Sequence, residues 1–233
     1  MKPVRRGIVM VILIAVTAVI ALQLYYLIQI ALWSYFNPSS TSFMREQLAI
    51  LQAENPKAQL QFEWVDYDKI SNQLKRAVIA AEDAGFNAHD GIEWDAIQDA
   101  YLKNQKKGKV VRGGSTITQQ LAKNLFLSGE RSYIRKGQEA IIATMLELIL
   151  DKRRILELYL NVAEWGQGVF GAQAAAKHYY GINAANLGAA QAAKLASMLP
   201  RPRYYDKHRD SSYLNRRAAR IQAWMNDVAL PAK

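Results

Sequence analysis

From Ile8 to Phe36 the chain is apolar almost without interruption, broken only by Thr17, Gln23, Gln29 and Ser34. About 20 such residues cross the hydrocarbon core of a bilayer, so the run predicts one membrane-spanning helix with some tilt. A cleaved leader is the weaker reading: its apolar region is only about 7 to 15 residues long, and no small-residue cleavage site follows Trp33-Ser34-Tyr35-Phe36. Lys2, Arg5 and Arg6 precede the run, and Trp33, Tyr35 and Phe36 close it as an interfacial aromatic cluster. That asymmetry predicts a cytoplasmic amino terminus with the bulk of the chain outside.

Beyond the run the period changes to that of amphipathic helices. Residues 37–42 are turn-rich and the stretch to Val65 declares no element, but Ile70, Leu74, Ala77 and Val78 then recur at helical spacing, with Asp68 as the start signal. A second helix is predicted over 92–106 with Ile92, Ile97 and Tyr101 inward, and a third where Ile117, Leu121 and Leu125 repeat every four residues. A long apolar helix runs to Leu150. The Ala, Leu and Gly spacing in 152–171 and 193–202 indicates close helix packing, and Arg216, Arg217 and Arg220 with Ile221 and Trp224 read as a docked helix with a basic outer face. The expected organisation is mainly α: a tail over 1–7, a transmembrane helix over 8–36, a linker and membrane-proximal segment over 37–65, and one domain over 66–233.

A chain of 233 residues suits one such domain with an appendage. Thirty Lys and Arg against twenty Asp and Glu give a net charge of +10, which fits nucleic acid, a phospholipid surface or a phosphorylated substrate without choosing among them. Absent cysteine excludes disulfides and thiolate metal sites. His89, His178 and His208 have no metal-ligand spacing, and no Ser-His-acid set or Walker loop is present. Asp66-Tyr67-Asp68 has the form of a metal-nucleotide site but sits where a helix begins, and the run Lys103 to Lys109 reads as a solvated charge cluster or a contact for anionic headgroups.

Two stretches carry chemistry. Glu82 closes five apolar residues near a helix carboxyl end, where desolvation and the macrodipole both disfavour its charge, so its pKa should be raised. Gly113-Gly114 leads into Ser115-Thr116-Ile117-Thr118-Gln119-Gln120-Leu121-Ala122-Lys123-Asn124, where Thr116 and Gln119 have capping-box spacing. Thr116, Gln120, Lys123 and Asn124 fall opposite the apolar stripe, a rail of amides, hydroxyl and one cation beside a helix amino terminus, where anions bind.

These residues resemble the signatures of the peptidoglycan glycosyltransferases, lysozyme-like enzymes that polymerise lipid II. Glu82-Asp83 with Phe86, His89 and Gly91 is similar to the first signature, although Ala84-Gly85 stands where basic and aromatic residues are usual. Gly113 to Asn124 is similar to the second, Arg135-Lys136 with Glu139 to the third, and 152–171 and 193–202 to the fourth and fifth. The resemblance covers roughly residues 66 to 203. It implies a lysozyme-like glycosyltransferase domain, Glu82 as catalytic base and Glu139 as second carboxylate, with Glu147 a lower-ranked competitor and Asn161 an outlying site candidate. It implies substrate contacts from Asp83, Phe86, His89, Ser115, Thr116, Gln119, Gln120, Lys123, Asn124, Arg135 and Lys136, the cations facing the diphosphate. Its implied partners are lipid II, the growing glycan, membrane lipids and cell-wall synthesis or division proteins rather than nucleic acid. No cofactor is required, a divalent cation (Mg or Mn) at the diphosphate being compatible but without a dedicated cage. The place implied is the bacterial inner membrane, single-pass, with the catalytic domain in the periplasm.

The Glu164 to Gly171 variant looks most like the monofunctional branch, and the chain lacks the Ser-x-x-Lys and Lys-Thr-Gly motifs of a transpeptidase. Two rival readings share parts of the pattern. A lytic enzyme would also use two carboxylates on such a frame but needs no cations for a diphosphate. A noncatalytic basic module on a membrane anchor would explain the charge and not the carboxylates.

Overall fold

A computed structural model describes residues 2–93, 114–130 and 132–232, with the side chains of 2–5 left aside. Helices α1 (Lys2–Leu32), α2 (Ser42–Glu54), α3 (Asn72–Glu82), α4 (Ile117–Phe126), α5 (Tyr133–Ile149), α6 (Lys152–Val162), α7 (Ala172–Tyr180), α8 (Ala189–Met198), α9 (Pro202–Lys207) and α10 (Ser212–Trp224) carry most of the chain. Three short strands, β1 (Gln61–Phe62), β2 (Glu164–Gly166) and β3 (Val169–Phe170), form one sheet in the order β1-β3-β2, β3 parallel to β1 and antiparallel to β2. The helix predicted over 92–106 and the basic run after it lie outside the described residues.

Helix starts follow local chemistry. The side chains of Thr41, Ser71, Thr116, Ser132, Asp151 and Ser211 each accept a backbone N–H from the first turn of the helix they precede. Asp68 is not the cap of α3. It lies in a 3-10 turn over Tyr67–Lys69, pairs with Arg153, and leaves Ser71 to cap the helix by accepting from the Gln73 N–H.

The core sits where α3, α8 and α10 pack together on one side and α4, α5 and α6 on the other. Segment 37–65 packs into this core: Met44 is buried, β1 pairs with β3, and Asn161 holds Val65 with both faces of its amide, accepting from the Val65 N–H and donating to its carbonyl, each at 2.9 Å. That commits Asn161 to the scaffold. Gly171, with φ +85°, lies so close to α6 that a Cβ would stand 2.8 Å from the Asn161 carbonyl oxygen.

Helix α1 includes a 27-residue span from Arg6 to Leu32 apolar enough to cross a membrane, more than the roughly 20 residues a bilayer needs. The surplus is used as a docking surface. Gln23, Tyr26, Ile30 and Trp33 recur on one face; Tyr26 and Ile30 are buried, and Phe126 of α4 packs against Tyr26 and Trp33 with ring centroids 4.9 and 5.1 Å away. Gln23 and Gln138 of α5 exchange two side-chain hydrogen bonds of 3.0 Å. At the far end Arg154 donates to the Trp33 and Phe36 carbonyls at 2.9 and 2.8 Å, satisfying groups a helix terminus leaves open. The helix thus ends at Leu32, and Trp33 to Phe36 form the turn that Arg154 closes.

Two stability outcomes follow. Gly171→Ala combines a strained φ with a backbone clash and should cost about 2 kcal/mol or more, read as a lowered thermal midpoint of the detergent-solubilised chain. Gln23→Leu or Gln138→Leu alone leaves one amide unpaired, whereas the double leucine variant should regain most of the loss; a double-mutant cycle should give a coupling of about 1 kcal/mol.

Candidate active site

Glu82 stands at the carboxyl end of α3, its side chain 11% exposed. The Gln120 amide of α4 donates to Glu82 Oε2 at 2.9 Å and accepts from the Tyr159 hydroxyl of α6 at 3.0 Å, so a buried phenol fixes which way the amide points. Arg217 of α10 approaches the other oxygen at 3.4 Å. Burial raises the Glu82 pKa, with Gln120 and Arg217 pulling it back and the adjacent Asp83 adding to the rise. The direction is the one expected from the five apolar residues before it. The hydroxyl of Tyr159 stays protonated because burial drives its pKa far up.

Asp83, by contrast, is spent on architecture. Its Oδ2 accepts from the Ile117 N–H at 2.9 Å and its Oδ1 from His89 Nε2 at 2.8 Å, while the Gly91 N–H donates to His89 Nδ1 at 3.1 Å. The Asp83 hydrogen bond raises the His89 pKa, and the Gly91 N–H opposes it by favouring the neutral Nε2–H tautomer. Thr116 completes the capping box with Gln119 and donates to the Gly91 carbonyl at 2.6 Å. Phe86 is fully buried under the Lys152 ammonium, 4.7 Å from its ring. Phe86, His89, Thr116 and Gln119 therefore brace the wall behind Glu82, where the polar groups satisfy one another.

The rail on α4 does not face away from the core. Thr116 and Asn124 are buried, and Gln120 and Lys123 are half-buried, because α3, α5 and α6 close over a face that a lone helix would show to water. One turn beyond Gln120, Lys123 enters a cluster from α5: burial lowers its pKa first, Glu139 opposes this, and Arg135 adds to it. Glu139 is 3% exposed, accepts from Arg135 at 2.8 Å and pairs closely with Lys136, which also donates to Ser115 Oγ at 2.8 Å. Glu139, three and four residues from Lys136 and Arg135 on the same helix, is thus a buried carboxylate shared by two cations. Helix α4 thus carries both halves of the site, one through Gln120 and the other through Lys123.

Glu147, the rival second carboxylate, accepts from Thr118 at 2.6 Å and pairs with Lys152 at 2.7 Å, a clamp between three helices about 12 Å further along α5 than Glu139. Two carboxylate combinations bear on a divalent cation. Both Glu139 oxygens are held by Arg135 and Lys136. Asp83, His89 and Glu93 lie close enough together to share an ion, but His89 accepts at Nδ1 from Gly91 and so must carry its proton on Nε2, the nitrogen a metal would need. Neither set fits a divalent cation among the described residues.

Sequence reasoning missed four residues. Tyr159 and Arg217 reach Glu82 or its partner, and Glu164, buried and held by Arg203 through two bonds of 2.8 and 3.0 Å, interacts electrostatically with Lys123. Burial raises the Glu164 pKa and Arg203 restrains it. A phenol inside an apolar helix stripe was a readable signal for Tyr159; Arg217 resembled its neighbours Arg216 and Arg220.

This constellation, two carboxylates drawn largely out of water and a cation cluster on a mainly helical frame that follows one long apolar helix, fits a glycan-building transferase. A sequence model of the family described as Transglycosylase matches residues 50–226, and the chain belongs to that family. Its similarity to a biosynthetic peptidoglycan transglycosylase of Janthinobacterium sp. (strain Marseille) is 62% identity over 231 residues, covering 99% of this chain and 100% of the relative. The proteins of the same description from Herminiimonas arsenicoxydans and Bordetella pertussis (strain Tohama I / ATCC BAA-589 / NCTC 13251) are 60% identical over 231 residues and 55% over 225, the former covering 99% of this chain and 100% of the relative, the latter 94% and 93%.

Because burial lifts the Glu82 pKa, the folded chain keeps that proton to a higher pH than the unfolded chain does. Stability therefore falls as pH rises from the unfolded value through the folded one, and the cost is complete above it. Glu82→Gln removes the cost. At neutral pH its thermal midpoint should equal or exceed that of the wild type, and the gap should close as pH drops toward about 4.

Proposed function

We infer that this protein polymerises the glycan strands of peptidoglycan, taking lipid II and the growing chain as substrates, with Glu82 as the base and Glu139 organising the donor side. The reading rests above all on α4, which joins the desolvated Glu82 to the Lys123, Arg135 and Lys136 cluster.

Glu82 takes the proton of the 4-hydroxyl on the incoming lipid II, whose oxygen forms a new bond to the anomeric carbon of the growing chain. The bond from that carbon to the carrier diphosphate breaks with inversion, and the undecaprenyl diphosphate leaves with the electron pair. A base needs a pKa nearer neutrality than a free carboxylate, which burial supplies. The departing diphosphate needs fixed positive charge in a site poor in water, which suits Lys123, Arg135 and Lys136. Glu139, by holding Arg135 and Lys136, keeps them aimed before substrate arrives. A glycan-cleaving enzyme has no use for such a cluster, and a purely binding module has none for a desolvated base.

The one helix among the described residues that is long and apolar enough to cross a membrane is compatible with a single-pass anchor. Residues 1–7 lie in the cytoplasm in this reading, and the domain that begins after the span works in the periplasm against the inner membrane, where division or elongation proteins are its candidate partners.

With purified full-length protein and lipid II in detergent or liposomes, gel analysis should display a ladder of uncrosslinked glycan. Glu82→Gln should abolish the ladder with the fold retained, and Arg135→Met or Lys136→Met should lower kcat by about 10²-fold. Full activity of Glu82→Gln would remove the base assignment, and a wild type that shortens glycan without extending lipid II would make the enzyme lytic.

A further inference from the structure

The carboxyl end of α3 gathers negative charge: two adjacent carboxylates, Glu82 and Asp83, and the open carbonyls of a helix terminus. Asp83 is answered by His89 and the Ile117 N–H. Glu82 is answered by a neutral amide, Gln120, and by one cation from a different part of the chain. That cation is Arg217, in the middle of α10, which packs against both α3 and α8. Its neighbours Arg216 and Arg220 are exposed, while Arg217 turns inward, its side chain 29% exposed. One of its nitrogens stands 3.4 Å from both Glu82 Oε1 and the Ala81 carbonyl, and its Nε is buried without a hydrogen-bond partner.

This geometry is loose where a structural pair would be tight. Arg203 grips Glu164 through two nitrogens at 2.8 and 3.0 Å, and Arg154 makes four bonds of 2.7 to 2.9 Å, three around the end of α1 and one to Glu157. Arg217 makes no contact shorter than 3.4 Å in the described hydrogen bonds. A guanidinium at that range acts on the carboxylate through charge more than through directed bonding, and leaves Glu82 Oε1 accessible to a hydroxyl proton.

We propose that Arg217 is a positioning residue of the reaction: from α10 it holds the Glu82 carboxylate ionised and in one orientation, offsetting the burial that makes that carboxylate a base. This rests on the assignment of Glu82 above. The charged and titratable groups facing Glu82 among the described residues are Arg217 from α10, Asp83 next to it in the chain and, across the Gln120 amide, the Tyr159 phenol from α6. Asp83 and burial favour the protonated carboxyl, Tyr159 stays neutral, and Arg217 is the cation that favours the anion. Without it the base should be protonated over more of the working pH range.

The test compares Arg217→Gln, Arg217→Met and Arg217→Lys in the full-length protein, measuring lipid II polymerisation across pH and the infrared carboxyl band that Glu82→Gln removes from the wild type. Gln keeps a donor for the Ala81 carbonyl without the charge, and Lys keeps the charge without the fork. In Arg217→Gln and Arg217→Met the acid limb of kcat and the carboxyl titration should both move up by roughly one pH unit or more. Rates should then fall about tenfold on the acid side and recover on the alkaline side. Arg217→Lys should stay near the wild type. A uniform loss at every pH, or a carboxyl titration that does not move in Arg217→Gln, overturns the proposal. A wild type that makes no glycan would instead refute the assigned function, and the infrared titration would still decide whether Arg217 governs the charge of Glu82.

Discussion

Withdrawing one carboxylate from water is the constraint on which the structure turns. A helix that ends in Glu82 amid Ala77 to Ala81 is a poor place for a negative charge, and the rest of the domain is arranged so that the charge is tolerable without being comfortable. Gln120 donates a single neutral bond, Tyr159 holds that amide in one orientation, and Arg217 reaches the other oxygen only at the long distance of 3.4 Å. Tighter pairing would have returned Glu82 to an ordinary carboxylate. No pairing would have left it a neutral acid.

The second carboxylate shows the opposite solution. Glu139 is buried more deeply, but two cations one turn away on its own helix saturate it, and the group serves as a brace for Arg135 and Lys136. Two glutamates that look alike in the sequence thus differ in work because one meets neutral and distant partners and the other meets close charges. Helix α4 keeps the two environments in register, since Gln120 and Lys123 are one turn apart on a rigid element whose amino terminus is fixed by the Thr116 and Gln119 box and by Asp83.

The long apolar helix α1 belongs to the same design. Its last turns, from Gln23 to Trp33, pack on α4 and α5, the helices that carry Lys123 and the Arg135, Lys136 and Glu139 set. A helix joined only by a flexible tether would leave the site free to move relative to it. Seating it by an amide pair, three buried or half-buried aromatic and aliphatic side chains and the Arg154 cap ties the depth of the helix to the position of the cation cluster.

By itself the sequence determined whatever depends on neighbours along the chain. The length of the apolar run, the capping box at Thr116 and Gln119, the helical period of α3 to α5 and the upward push on Glu82 from five apolar predecessors are local effects, and local effects can be read from spacing. It failed where a competing local signal won, as when Ser71 and not Asp68 capped α3, and where a polar face was read as turned away from the core, as for Thr116 and Asn124. Only the tertiary structure could bring Arg217 across more than a hundred residues to Glu82, turn the polar face of α4 inward, and make Asn161 a clamp for Val65. Those outcomes depend on which surfaces meet, and a polar side chain declares its partner only once another helix has removed its water.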